Sequence, residues 1–283
     1  MSASVIVPFA GAQSDMEEMV DRLGALDLRP GDEAVLVDNR ARPVAPGRPP
    51  PPGVRVLAAA DRPSSWYARD VGAAAAAGEW LVFIDADTRP DPELLQRYFD
   101  PPPGPRVGVL AGGVRDWDTA ATACSRYVSA RAKMDQSVTL AHAYRPYAQT
   151  ANCAVRRSAF EAVGGFAREA GSSAAGDADL CWRLQEAGWL LESRPEAAVD
   201  HENRVRFRDL FGQLARHGAG LAWLEQRYPG SVPLPRARSL VGRVPHYLRA
   251  AAAAPDREET LFALADLACL CARDVGRLRR RGL

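Results

Sequence analysis

The sequence predicts an α/β fold, a mainly parallel sheet covered by helices on both faces, and three observations predict it. Short apolar runs recur, "SVIVPF" (4–9), "EAVLVD" (33–38) and "WLVFI" (80–84), each the length of a strand buried on both faces. Helix-compatible segments separate them. Strand and helix therefore alternate, the order that favours parallel strands joined by crossovers.

Taken in order, the first run precedes a polar, helix-compatible stretch around Met16 to Leu26 and then the second run. "ARPVAPGRPPPPG" (41–53) is too rich in proline for regular structure and reads as a stiff surface loop. "GVRVLAA" (53–59) is a further strand, and "SSWYARDVGAAAAA" (64–77) a helix with Ser64 or Ser65 as N-cap. After "WLVFI" come a helix in "PDPELLQRYF" (90–99), a loop in "DPPPGP" (100–105) and a strand in "RVGVLAGGV" (106–114). Residues 119–143 read as helical, "RRSAFEAVGGF" (156–166) as a short helix stopped by Gly164 and Gly165, and "DADLCWRLQEAGW" (177–189) as a helix with acids in its first turn. Another helix spans 207–228. The expected division is one domain over 1–230 and a C-terminal helical extension over 231–283.

At 283 residues the chain can bury an extensive core. A net charge of +1 gives no ground for a nucleic-acid partner. The five cysteines are odd in number and lack C-x-x-C spacing, so neither a disulfide framework nor a structural zinc site is indicated. No secretory leader is visible, and Asp266 interrupts the most apolar stretch, "LFALADLACLCA" (261–272). A cytoplasmic protein is expected, with peripheral contact at the inner face of the membrane as an alternative.

The run "WLVFI" leads directly into "DADTRP" (85–90). Alternation along a strand would send Asp85 and Asp87 to the same side, where two like charges repel unless a cation or a donor array stands between them. Hard, oxygen-seeking Mg²⁺ or Mn²⁺ suits such a pair. The plainer reading is that Asp85 starts a turn and Asp87 caps the next helix. Open α/β sheets bind ligands at the carboxyl ends of their strands, so Asp38, ending the second run, is expected to face the same crevice. Asp177 and Asp179 suit the positive end of a helix, although a carboxylate there also suits removal of a proton from a hydroxyl. His201, in "VDHENR" (199–204) after an expected strand, is an isolated histidine that reads either as a structural or exposed residue or as the nitrogen donor that completes a Mn²⁺ site begun by Asp87.

Five segments, "SVIVPF", "LVDN", "ARDVGAAAAAGEWLVFIDADTRPDPELL", "NCAVRRSAFEAVGGF" and "GDADLCWRLQEAG", occur in an order and spacing that resembles family 2 glycosyltransferases with the GT-A, Rossmann-like fold, over about residues 4 to 204. The resemblance implies an inverting transferase in which Pro8 and Asp38 lie beside the nucleotide base and ribose. It implies Arg69 near the nucleotide, Asp85 by the ribose and metal, Asp87 as metal ligand, and Asp177 as general base. It further implies His201 as an added metal ligand and Arg204 near the diphosphate. The cofactor would be Mg²⁺ or Mn²⁺, the donor a nucleotide-diphosphate sugar, a UDP-sugar first, and the acceptor a hydroxyl on a lipid-linked molecule or a small metabolite.

Two departures stand out: Gly176 replaces the glutamate that precedes the family's base, and Asp70 replaces the asparagine after the arginine. Processive members carry Q-x-x-R-W and membrane helices, whereas "QLARH" (213–217) lacks the tryptophan, so a single transfer is expected. The rival readings are a haloacid-dehalogenase-type phosphatase with Asp85 as nucleophile and an inactive relative with the GT-A fold. The phosphatase's lysine would have to be Lys133, the only one in the chain. The tail sets Leu261, Leu264, Ala268, Cys271, Val275 and Leu278 on one helical stripe, expected to pack on the domain or on a second copy, or to rest on a membrane beside "RLRRR" (277–281). Acceptor choice is assigned to residues between about Trp117 and Ala151 and to the loop "REAGSSAAG" (168–176).

Overall fold

The computed structural model describes residues 1–117, 120–131, 134–167, 175–232 and 237–279. The first half runs β1 (Ala3–Phe9), α1 (Gln13–Gly24), β2 (Glu33–Asp38), β3 (Val54–Ala58), α2 (Ser65–Ala75), β4 (Trp80–Ile84), β5 (Thr88–Pro90), α3 (Leu94–Phe99) and β6 (Val107–Trp117). There follow α4 (Ala123–Ala130), α5 (Gln136–Leu140), β7 (Asn152–Arg156), α6 (Arg157–Ala162), α7 (Gly176–Glu186), β8 (Leu190–Glu202), α8 (Phe207–Arg227), α9 (Ala237–Ala252) and α10 (Arg257–Arg279).

The strands form one sheet in the order β3-β2-β1-β4-β7-β6-β8-β5. Strands β3, β2, β1 and β4 are parallel, and Phe9 pairs with Asp38 and Ile6 with Phe83. Their carboxyl ends therefore lie along one edge. Alternation then sorts the side chains. Val5, Val7, Leu36, Val82 and Ile84 enter the core under α1 and α3, while Ile6, Val35, Val37, Leu81 and Phe83 enter the core under α2, α6 and α7. The sheet is thus apolar on both faces because helices cover both, as the unbroken runs predict.

β7 is a strand that sequence reading missed, as is the three-residue β5. β7 is antiparallel to both β4 and β6, and its arginine-flanked "NCAV" is shorter than the runs that signal buried parallel strands. Asn152 opens it and is fully buried. Its amide donates to the carbonyls of Gly113 (2.8 Å) and Ala197 (2.7 Å), and its Oδ1 accepts from the Tyr98 hydroxyl at 2.7 Å. One side chain thus ties β7 to β6, β8 and α3, directly opposite Ile84, the last residue of β4.

The helix expected across 119–143 is two helices. α4 ends before Arg131, and α5 starts afresh with Asp135 as cap, its carboxylate accepting from Ser137 N at 2.8 Å. Lys133 and the loop 168–174 lie outside the described residues.

The described residues group into two compact units: the sheet with α1, α2, α3, α5, α6 and α7, and a helical unit of α4, α8, α9 and α10. α8, expected with the first domain, groups with the C-terminal helices. In the helical unit Tyr127, Leu210, Phe262, Ala265 and Cys269 form the core. Tyr127 donates to Asp266 (2.7 Å), which also receives Arg131 at 2.9 Å. This anchoring turns α10 so that Leu261, Leu264, Val275 and Leu278 of the expected stripe are exposed, while Phe262, Ala265 and Cys269 face inward. No helix among the described residues is long and apolar enough to cross a membrane.

Replacing Asn152 by leucine strands two buried carbonyls and a tyrosine hydroxyl. We expect Asn152→Leu to cost about 3 kcal/mol in chemical denaturation; a cost below about 1 kcal/mol would show that these groups find other partners.

Candidate functional site

Asp85 follows the last residue of β4 and Asp87 precedes β5. The chain between them turns instead of continuing as strand: Thr88 donates to the Asp85 carbonyl through its backbone N (3.2 Å) and its hydroxyl (2.7 Å). Convergence of the two carboxylates thus comes from this turn and not from strand alternation, which the sequence reading assumed. The turn delivers the chain into β5, which pairs antiparallel with β8 so that Thr88 faces His201. Glu202 N donates to the Asp87 carbonyl at 2.9 Å, closing the contact.

One ligand atom each from Asp85, Asp87 and His201 lie within 4.8 Å of one another. His201 is buried, with Nε2 3.5 Å from Asp87 Oδ1. Its Nδ1 is buried with no hydrogen-bond partner. Two half-buried carboxylates and an imidazole whose Nε2 faces one of them suit a divalent cation such as Mg²⁺ or Mn²⁺.

The pair is not symmetric. Asp85 Oδ1 receives Arg69 Nη2 at 2.5 Å, and Arg69 is 4 % exposed. The guanidinium also stacks over the Trp66 indole, 4.6 Å from its centroid. Trp66 packs in turn on Phe166 at 5.0 Å between centroids. Ser64 caps α2 by accepting from Tyr67 N, which fixes the turn that carries Trp66 and Arg69.

Trp66 also accounts for Gly176. A β-carbon on Gly176 would stand 2.8 Å from Trp66 Cε2 and 2.9 Å from Cδ2, closer than packed carbons approach. The space that a glutamate would need there is filled by indole. Asp70 likewise has a structural task, its Oδ1 accepting from Phe166 N at 3.2 Å. Nothing in the sequence pattern pointed to Trp66, because its relation to residues 166 and 176 is purely tertiary.

Asp177 opens α7, and its Oδ1 accepts from Ala178 N at 3.0 Å. α7 is held from its far side by Arg183, which grips Asp179 (2.8 Å) and the carbonyls of Val163 (2.7 Å) and Gly165 (2.8 Å). Trp182 Nε1 donates to the Arg145 carbonyl at 3.0 Å and Gln185 to that of Pro146 at 2.8 Å, which lays residues 145–149 along the helix. Asp177 keeps some contact with solvent but is ringed by protein. Loss of hydration pushes its carboxyl up to about 6, against the opposing pull of the Ala178 amide and the Arg69 charge and with added push from Asp85. Asp179, by contrast, is a buried structural carboxylate.

Pro8, half-buried near the end of β1, pairs with Val37. Asp38 is buried and already engaged: Arg40 grips both oxygens at 2.8 and 2.7 Å, and Val44 N donates at 3.2 Å. Burial alone would raise its pKa, but the Arg40 and backbone donors hold it below the ordinary value. Asn39 receives Ser64 N at 2.8 Å and donates to the carbonyls of Ala59 and Arg62, binding the ends of β2 and β3 to the start of α2. Arg40 and Asn39 stand directly after Asp38 in "VDNR", and that adjacency was the signal for them. Arg204 lies past β8 in the helical unit.

A sheet covered on both faces, with a cation-competent D-x-D turn at the carboxyl edge of its central parallel strand, is the GT-A architecture. Residues 2–220 match the Glycosyltransferase like family 2, and the chain belongs to that family. A pre-mycofactocin glycosyltransferase of Mycobacterium tuberculosis is 31% identical over 166 residues, 57% of this chain and 35% of that protein. Glycosyltransferase AglE of Haloferax volcanii is 28% identical over 169 residues, 59% of this chain and 53% of that protein. The chain thus spans between a third and just over half the length of these relatives. Among solved structures, a Pyrobaculum calidifontis mannosyltransferase in complex with GDP-Man and Mn²⁺ matches with a TM-score of 0.64 and 19% identity, over 98% of this chain and 86% of that one. Glucosyl-3-phosphoglycerate synthase from Mycobacterium tuberculosis, with Mn²⁺, UDP-glucose and phosphoglyceric acid, matches at 0.53 and 19%, over 80% and 79%. Family membership sets the phosphatase reading aside.

Two stability measurements test this geometry. A carboxyl whose folded pKa stands above its unfolded value stabilises the fold below the unfolded value and loses that contribution as pH rises through the folded one. With a folded value of about 6, charged Asp177 costs on the order of 3 kcal/mol at pH 7.5. Asp177→Asn should therefore raise Tm at pH 7.5 and have little effect at pH 4; equal shifts at both would refute the assignment. Gly176→Glu should lower Tm, and adding Trp66→Ser should recover about 1 to 2 kcal/mol by vacating the space. Strictly additive losses in this double-mutant cycle would separate the two residues.

Proposed function

We propose that the chain transfers one sugar from a nucleotide-diphosphate sugar to a hydroxyl acceptor, with inversion and without processivity. The observation that carries this is the meeting of Asp85, Asp87 and His201 at the end of β4, with buried Arg69 on Asp85 and the raised carboxyl of Asp177 bearing electrostatically on the same groups. Family membership and the nucleotide-sugar complexes of the structural relatives support the donor class.

In this reading Pro8 and Asp38, with Arg40 attached, receive the base and ribose, and Arg69 and Arg204 face the diphosphate. Asp87 and His201 hold Mn²⁺ or Mg²⁺, with Asp85 beside them. The bound cation neutralises diphosphate charge and so improves the leaving group. Asp177 takes the proton of the acceptor hydroxyl as it attacks the anomeric carbon. A carboxylate that titrates near 6 is a better base than an ordinary aspartate and is still ionised at neutral pH. Arg69, Asp85, Tyr147, Cys153 and Cys181 are the titratable or charged groups that bear on it. A UDP-sugar is the first donor to test and GDP-mannose the second; the acceptor is a hydroxyl on a small metabolite or a lipid-linked molecule.

The experiment is a thermal-shift screen of UDP- and GDP-sugars with and without Mn²⁺, followed by transfer assays on the donor that binds. Asp87→Ala and His201→Ala should abolish or weaken at least tenfold the Mn²⁺-dependent donor shift. Asp177→Asn should keep that shift and lose roughly 10²- to 10⁴-fold in kcat, and the wild-type kcat/KM should rise with pH through a midpoint near 6. Intact transfer by Asp177→Asn would remove the base assignment, and the absence of any donor shift would remove the function.

A further inference from the structure

Within the helical unit, α8 and α10 cross in backbone contact. A β-carbon on Gly218 would overlap the carbonyl of Arg273, and one on Gly276 that of Ala215. Helices this close crowd the side chains that flank the crossing, and those include His217 on α8 with Arg273 and Arg277 on α10. The charge of Arg243, on α9, also bears on Arg277. Asp274 is the acid in their midst, 7 % exposed along its side chain, its Oδ1 accepting from Arg277 at 3.2 Å.

Among the described residues that bear on Arg277, one carboxylate does not balance three guanidinia, those of Arg243, Arg273 and Arg277. The Nε atoms of Arg273 and Arg277 are buried without a hydrogen-bond partner, and so is Asp274 Oδ2. Burial and the Arg273 and Arg243 charges pull Arg277 below its ordinary pKa. Burial, with Arg216, Arg273 and Arg204, drives His217 down to about 4, so it is neutral at pH 7 and adds no charge. Like charges gathered at a helix crossing repel, and a bound anion removes that cost. Guanidinium forks match the oxygens of a phosphate in geometry as well as charge.

We propose that the α8–α10 crossing is an anion site for a phosphate group, carried either by a small phosphorylated molecule or by a lipid headgroup. Arg243, Arg273 and Arg277 lie beyond residue 220, where the family match ends, so these three arginines belong to the C-terminal helices of this chain.

Calorimetric titration of the full chain with inorganic pyrophosphate in EDTA tests it, because EDTA keeps cations off Asp87 and His201. Saturable binding is expected, weakened at least tenfold by Arg273→Gln or Arg277→Gln and unchanged by Asp87→Ala. Pyrophosphate should also raise the Tm of the unaltered chain more than that of Arg243→Gln, whose exposed side chain makes misfolding a poor explanation. Sedimentation with vesicles of phosphatidylcholine, alone or with phosphatidic acid, separates the sources. Retention by phosphatidic acid that is lost in Arg273→Gln assigns the headgroup, and pyrophosphate binding without retention assigns a small molecule. Absence of both, or binding undiminished in all three arginine variants, overturns the site.

Discussion

Arg69 carries its charge into the interior, where water no longer stabilises it, and its surroundings supply what a buried cation requires: a carboxylate at 2.5 Å and an indole face at 4.6 Å. Much of the candidate site hangs on that arrangement. It neutralises one of two neighbouring carboxylates, so Asp85 and Asp87 can share a turn without full mutual repulsion. It moderates the rise in the Asp177 pKa. Through Trp66 it also fixes what can stand at position 176. The glycine and the tryptophan are one solution to a packing problem, expressed 110 residues apart.

The sheet was legible where its physics is local. Runs such as "WLVFI" and "EAVLVD" are buried on both faces by parallel neighbours and by helices, and that environment leaves an unbroken apolar signature. β7 escaped because its four-residue core pairs antiparallel and is recognisable only once β4 and β6 flank it. The break between α4 and α5 escaped because an alanine-rich stretch looks helical throughout, while the cap that restarts it, Asp135, is one ordinary side chain. The face that α10 buries within this chain was not read from the sequence for a third reason. Its periodicity admits more than one stripe, and the choice is made by Tyr127 and Arg131, more than 130 residues earlier, when they anchor Asp266.

The candidate site was legible to a similar depth. Asp85, Asp87 and His201 come together as expected, although by a turn and a β5–β8 pairing that no spacing rule contains. Asp38 stands at its strand end, but it is buried and paired with Arg40 and is not a bare carboxylate. Asp70, which stands where the family has asparagine, accepts from the backbone of Phe166. Local pattern therefore located the groups, while tertiary packing decided their electrical state.

The two ion pairs at the sheet edge, Asp38 with Arg40 and Asp85 with Arg69, have a consequence for how an anionic donor meets this protein. A diphosphate approaching carboxylates that are already compensated finds no strong excess of positive charge in them to draw it in. On the proposed function a divalent ion held by Asp87 and His201 would add to the attraction, and donor and cation affinities would then be thermodynamically coupled, each raising the affinity for the other by the same factor. Donor retention would then depend on cation concentration, and departure of the nucleotide product would loosen the ion along with it.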